Sequence, residues 1–219
     1  MIPLDPDRTL ALAYVPASRR PAVEALWRLD AAFSSVLSTG REPLISQIRL
    51  AWWREALEML DREPAPAEPV LRAVEAAVLP AGVTGAELAA IEAGWAILLS
   101  GEPLSPADLE LYGSARGGLL FRHTARLLGE PSPAPAVEAG GAAWALIDLA
   151  RHSTDAADAE AALGAARAIS AWRWPARLRP LGMLAILAGR DAEPGRPHWE
   201  VPGAPRRMMR MLGHRLSGK

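Results

Sequence analysis

Cysteine is absent from the 219 residues, so disulfides and thiolate metal sites are excluded. That absence fits a reducing compartment. Phenylalanine and tyrosine occur only twice each, and valine and isoleucine are sparse beside alanine, which argues against a β-rich core. Charge of one sign is lacking too. Lysine and arginine number 24 against 25 acids, so no global field points to nucleic acid or to a polyanionic partner. No apolar run reaches transmembrane length. The opening "MIPLDPDRTL" lacks the basic and apolar regions of a secretory signal. Cytoplasmic localisation is therefore expected.

What remains is half hydrophobic, enough for a sizeable core, and rich in alanine, which favours helix. The Ala, Arg, Pro and Gly bias resembles a GC-rich bacterial coding sequence. Twenty prolines and 18 glycines cut the chain into helix-length pieces. Helices are expected over about 7–15, 19–38, 44–63, 69–79, 85–100, 106–128, 136–152, 155–171 and 175–189. An irregular stretch, 190–205, precedes a basic amphipathic helix over 206–217. Thr84 with Glu87 forms a capping box, Ser105 is an N-cap with Pro106 at the first helical position, and Gly129 is a stop. Gly113, Gly117 and Gly118 each cost about 1 kcal/mol against alanine inside a helix. They imply close approach of a neighbouring helix or a ligand. The expectation is one all-α domain spanning 1–219.

Several residues stand out chemically. Ser34, Ser35 and Ser38 share one helical face that continues to Asp30. Small neutral hydroxyls on such a face make either a packed seam or a site stripped of its chemistry. Asp148, His152 and Asp155 fall on one stripe. They offer carboxylate and imidazole at metal-ligand spacing, but pairing of either acid with Arg151 or His152 is the more economical reading. Trp52 and Trp53 point about 100° apart, so one packs in the core and the other forms a rim. Arg49 is placed to pair with Glu42 or to meet a ligand phosphate. His123 reads as a surface or groove residue. Trp172 and Trp174 flank Arg173 at a bend, and Trp199 lies in the irregular stretch; all three suit a core edge. In the last helix Met208, Met209, Leu212 and Leu216 form an apolar stripe among Arg206, Arg207, Arg210, Arg215 and Lys219. Docking onto the domain is the plainest role for it. A peripheral contact with an anionic inner-membrane surface and a partner groove are the alternatives.

The early helices carry a resemblance. Pro16 and Arg20 precede Ala25-Leu26-Trp27, and "LYGSARGGLLFRHTARLLG" is a small-residue helix ending in Leu-Gly. These features resemble the squalene/phytoene synthase family, all-α head-to-head prenyl synthases. "EPLISQIRLAWWREAL", residues 42–57, and Asp7-Arg8-Thr9-Leu10 are similar to a divergent branch of it. That branch includes a mitochondrial complex I assembly factor and bacterial relatives. The likeness is strongest over 7–155, and the chain looks shorter than a full synthase at its C-terminal end. The fold implied is the isoprenoid-synthase helical bundle around a central cavity. Active members carry two acid-rich motifs that gather Mg²⁺ around an allylic diphosphate, because the metal wants hard oxygen ligands. By that resemblance the first motif falls on Ser34, Ser35 and Ser38. The second runs from Arg151 to His152, Asp155 and Ala156, so five of six acids are missing. The expectation is a pseudoenzyme with no catalytic residue, no metal and no cofactor. It would act by binding, in assembly of a respiratory membrane complex, with that complex's subunits as partners and an isoprenoid or lipid as ligand. Asp30, Arg49, Trp52, Asp148, Arg151 and His152 are the candidate ligand-binding residues. The alternative is a prenyltransferase that uses Mg²⁺ through rearranged ligands: Asp30, Asp148, His152 and Asp155.

Overall fold

A computed structural model of the chain describes residues 3–40, 42–169, 173–195 and 199–218; Trp172 and Lys219 lie outside them. All regular structure among these residues is helical. Proline opens most helices, where its missing N–H costs nothing. Helix α1 spans Pro6–Ala13 and α2 Arg20–Thr39; α3 spans Pro43–Met59 and α4 Pro69–Ala77. The expected helix from 85 is subdivided. It runs as α5 (Gly85–Ala89), α6 (Glu92–Ala96) and a 3₁₀ turn. Each half docks on a different neighbour. Gly85 sits so close to the Leu57 carbonyl of α3 that a Cβ would lie 2.0 Å from it, and Gly94 abuts the backbone of Arg116.

The predicted caps are present. Thr84–Glu87 and Ser105–Asp108 are reciprocal capping boxes, and Gly129 takes a positive φ of 91° at a helix stop. Between α7 (Pro106–Leu111) and α8 (Leu119–Leu127) the helix widens into a π segment, Tyr112–Gly118. Its glycines do what their cost implied. Gly117 meets Gly141 of α9 (Pro135–His152) backbone to backbone, and a Cβ on either would lie 2.1 Å from the other's carbonyl oxygen. Helix α9 therefore runs through the middle of the bundle, packed on the π segment, α8, α10 (Ala156–Arg167) and α11 (Arg179–Asp191).

The main core is formed largely by α2, α3, α4 and α8, with Leu26, Trp27, Phe33, Leu50, Leu57 and Phe121 almost wholly buried. A smaller cluster lies between α7, α9, α10 and α11.

Two apolar surfaces, on α3 and on the last helix, stand out. Trp53 is in the core and Trp52 is 45 % exposed, as the two-faced reading requires. However, α3 buries Ser46, Leu50, Trp53 and Leu57, leaving Leu44, Ile45, Ile48 and Met59 exposed with Trp52. In α12 (Pro205–Ser217) the docked face is Arg207, Met211 and His214. The expected stripe does not face the domain as a whole: Met208 packs against the core, while Met209, Leu212 and Leu216 stay exposed. Ion pairs decide the orientation. The Arg207 guanidinium reaches Asp191 at 2.7 Å and Asp7 at 2.9 Å, and Asp7 also accepts the Gly203 N–H. The face that carries these pairs, with Met211 and His214, is the one turned inward.

Candidate functional site

A cavity of about 1080 Å³ opens between α1 and α2 on one side and α9 and α11 on the other. Ser34, Ser35 and Ser38 line it, facing Asp148, Arg151, His152 and Asp155 from α9 and its C-terminal exit. The serine face of α2 and the Asp148–Asp155 stretch at the end of α9 thus share one cavity. Ala156, the last position of the second motif, is exposed and opens α10 beyond the lining.

From the lining a network of charge that the serines do not join runs into the core, with Asp30 and Arg116 behind the wall. Asp30 of α2 has a fully buried side chain. Its Oδ1 accepts from the Trp95 indole at 3.1 Å and from Arg116 Nε at 3.1 Å; its Oδ2 accepts from Arg116 Nη2 at 3.3 Å and pairs with Arg8 Nη1 at 3.0 Å. Arg116 then crosses to α9 and pairs with Asp148 Oδ2 at 2.7 Å. It also donates to the Tyr112 hydroxyl. Its guanidinium lies 3.9 Å from the Trp95 ring and 5.0 Å from that of Trp144, while Arg8 lies 4.6 Å from Trp144. One arginine, 1 % exposed, therefore ties together the facing carboxylates of α2 and α9 inside an aromatic box.

Local sequence explains the placement. Tyr112 and Arg116 are four residues apart in the π segment, and the glycines beside them let that segment sit against α9. A π-type widening re-aims side chains and recurs at functional sites.

The electrostatics follow. Burial alone would raise the Asp148 carboxyl, but Arg116, His152 and Arg8 overrule it and hold it well below the ordinary carboxylate range. His152 Nδ1 lies 3.3 Å from Asp148 Oδ1, and that hydrogen bond raises the imidazole above its usual value. Burial pushes up the Tyr112 hydroxyl, so it stays protonated. For Arg116, the flanking carboxylates outweigh burial and keep the guanidinium charged.

These positions correct several expectations. Asp148 does pair with His152, but its main partner is Arg116. Arg151 turns away from Asp148 and donates to Asp191 at 2.9 Å and the Glu200 carbonyl at 2.7 Å, below the Trp199 ring. Asp155 caps α10, accepting from the amides of Ala157 and Asp158. Arg49 is exposed, donates to Thr39 rather than pairing with Glu42, and lies outside the lining. Trp52 is also outside it, on the exposed face of α3. His123 is no surface residue: it is 2 % exposed on the core side of α8.

Arg8, Trp95, Tyr112, Arg116, Trp144 and Asp191 did not stand out as site residues. A signal existed for two of them. Arg8 belongs to the Asp-Arg pair near the start, and Arg116 is a lone charge in a glycine-rich apolar stretch, four residues from a tyrosine.

The fit to magnesium can be tested on these contacts. Each facing carboxylate is already paired with a guanidinium. Among the described residues, no group of three His, Asp or Glu side chains is arranged to hold a metal. Asp30, Asp148, His152 and Asp155 do not converge as a ligand set. The residues present do not fit a magnesium cluster.

An all-helical bundle around a cavity, with its two motif helices facing each other across it, defines an isoprenoid-synthase-type protein. The chain belongs to the squalene/phytoene synthase family, which it matches over residues 4–178, well past the span over which the likeness is legible by eye. No curated protein and no solved structure shows a significant match. Among the described residues no helix is long and apolar enough to cross a membrane.

Proposed function

We propose that this family member acts by binding and not by prenyl transfer, and that it serves assembly of a respiratory membrane complex, as the branch it resembles does. Arg116 carries the reading. A prenyl synthase needs mobile divalent cations between its two acid-rich helices, where they neutralise a departing diphosphate. Here a cation built into the chain spans Asp30 and Asp148 instead. A guanidinium held by two carboxylates and an aromatic box leaves those oxygens with little affinity for magnesium. The three serines add hydroxyls but no charge. Each 1.4 kcal/mol of lost transition-state stabilisation is tenfold in rate, so a site short of five acids is left without useful turnover.

The exposed apolar side chains of α3 and the exposed Met209, Leu212 and Leu216 of the basic α12 agree with a protein that works through association. They support contact with a membrane-complex partner, or with the inner-membrane surface from the cytoplasmic side. The test is incubation with farnesyl or geranylgeranyl diphosphate and Mg²⁺, reading diphosphate release. No release above the uncatalysed rate is expected. Release at an enzymatic rate, lost on Asp155→Ala, would overturn the proposal and establish a prenyltransferase with rearranged ligands.

A further inference from the structure

We propose that the cavity takes an isoprenoid or similar lipid with an uncharged hydroxyl head group and discriminates against the diphosphate of the same chain. This rests on the binding role proposed above and specifies its ligand.

Charge is the first argument. Seven carboxylates and three arginines line the cavity. None of the three guanidiniums is available to an anion. Arg8 is held by Asp5 and Asp30, Arg151 by Asp191, and Arg207 by Asp7 and Asp191. Arg116, the fourth nearby, is buried behind the lining. The His152 imidazole, the other cationic group in the lining, sits on Asp148, while Glu102, Asp155 and Asp158 have no ion-pair partner among the described residues, so the field offered to a ligand is negative. A multiply charged diphosphate entering without metal would meet like charge in a partly desolvated space, which opposes its binding.

The second argument is the serines. Serine and threonine hydroxyls inside a helix usually fold back on their own backbone. Ser114, Thr124 and Thr39 do so, bonding to the carbonyls of Glu110, Leu120 and Ser35. The hydroxyls of Ser34 and Ser35 make no such bond and have no partner among the described residues, although both side chains are half-buried in the lining. Each supplies one donor and two acceptor positions, which complements an alcohol better than an anion.

The third argument is the remaining wall. Ile97, Leu98, Ile147, Leu184 and Leu187 give the cavity an apolar run, and its volume of about 1080 Å³ lies just above the roughly 300–1,000 Å³ common for small-molecule pockets. A branched hydrocarbon chain suits that wall, with its head toward the serines.

The experiment measures binding of farnesol and of farnesyl diphosphate, the latter with and without Mg²⁺, by calorimetry on the full chain. Farnesol is expected to bind at least tenfold more tightly than the diphosphate under either condition. Ser34→Ala with Ser35→Ala should weaken farnesol about tenfold while leaving the melting temperature unchanged, since one or two hydrogen bonds to the ligand are removed and none within the fold. Tighter binding of the diphosphate, no binding of farnesol, or no effect of the serine pair would overturn the head-group assignment. Diphosphate turnover would instead overturn the non-catalytic reading on which it rests. The two failures are therefore read separately.

Discussion

Asp30→Asn should be among the most destabilising single substitutions in this chain, although it changes one atom. The carboxylate is fully buried and receives Arg8, Arg116 and Trp95 at 3.0 to 3.3 Å. An amide keeps one accepting oxygen and turns two N–H donors toward guanidiniums that can only donate. Arg116 retains Asp148, but either its Nε or its Nη2 then faces an amide N–H instead of an acceptor, in a place water does not reach. Leaving such a charge uncompensated costs about 3–5 kcal/mol. For a chain of this size each kcal/mol lowers the melting temperature by about 2–4 °C, so a fall of roughly 6–20 °C is expected by calorimetry or circular dichroism. Adding Arg116→Met removes the orphaned cation. The double variant should then be no less stable than Asp30→Asn alone, a coupling of about 1–3 kcal/mol. Asp148 loses its arginine in that variant, yet its side chain is 28 % exposed and keeps His152, so it remains solvated. A fall under about 2 °C for Asp30→Asn, or strict additivity of the two changes, would refute the network as a stabilising unit.

Three further outcomes follow from particular residues. Burial pushes the His123 imidazole down to about 4 against an unfolded value near 6.5, so below pH 6.5 the unfolded chain takes up a proton that the folded one refuses. Stability should drop by about 3 kcal/mol as pH falls through that window, and His123→Leu should flatten this part of the profile in denaturant titrations. Gly117→Ala would place a Cβ 2.1 Å from the Gly141 carbonyl, so the clash outweighs the helix-propensity gain of about 1 kcal/mol and the melting temperature should fall. Gly164→Ala in α10 meets nothing within 4 Å and should raise it slightly, by up to about 1 kcal/mol in stability.

How much of this was legible in the sequence depends on whether the signal is local. Capping boxes, proline starts and the Gly129 stop are decided by neighbours a few residues away, and they read correctly from the chain. The serine face and the Asp148–His152 pair fall on the expected helices because helical spacing alone fixes a face, but Asp155 leaves the stripe: α9 stops at His152, and Asp155 is the extended cap of α10. Their partners were not legible. Asp30 pairs with residues 22 positions before it and 86 after it, and nothing in local pattern encodes that distance. The break between α5 and α6 was hidden for the same reason: it arises from two glycine contacts with different helices. In α12, periodicity pointed to the methionine–leucine stripe. Ion pairs to Asp7 and Asp191, from the opposite end of the chain and from α11, chose another face.

The arginine bridge also accounts for how α2 and α9 hold carboxylates close together under the proposed function. Two carboxylates facing each other across a cavity repel, and in a metal-dependent relative the substrate's cations relieve that repulsion only while bound. A guanidinium from the π segment relieves it permanently and without a ligand. It needs a planar donor that reaches both carboxylates, stays charged when buried and stacks on indole; lysine, a compact and strongly hydrated charge, meets none of these demands as well. On that argument Arg116→Lys should fail to restore what Arg116→Met loses. The carboxylates would then be left partly uncompensated, and that variant, unlike the parent chain, should gain stability on addition of millimolar Mg²⁺. A parent chain stabilised by magnesium to the same degree would show that Asp30 and Asp148 still have room for a metal ion, and the bridging role assigned to Arg116 would fall.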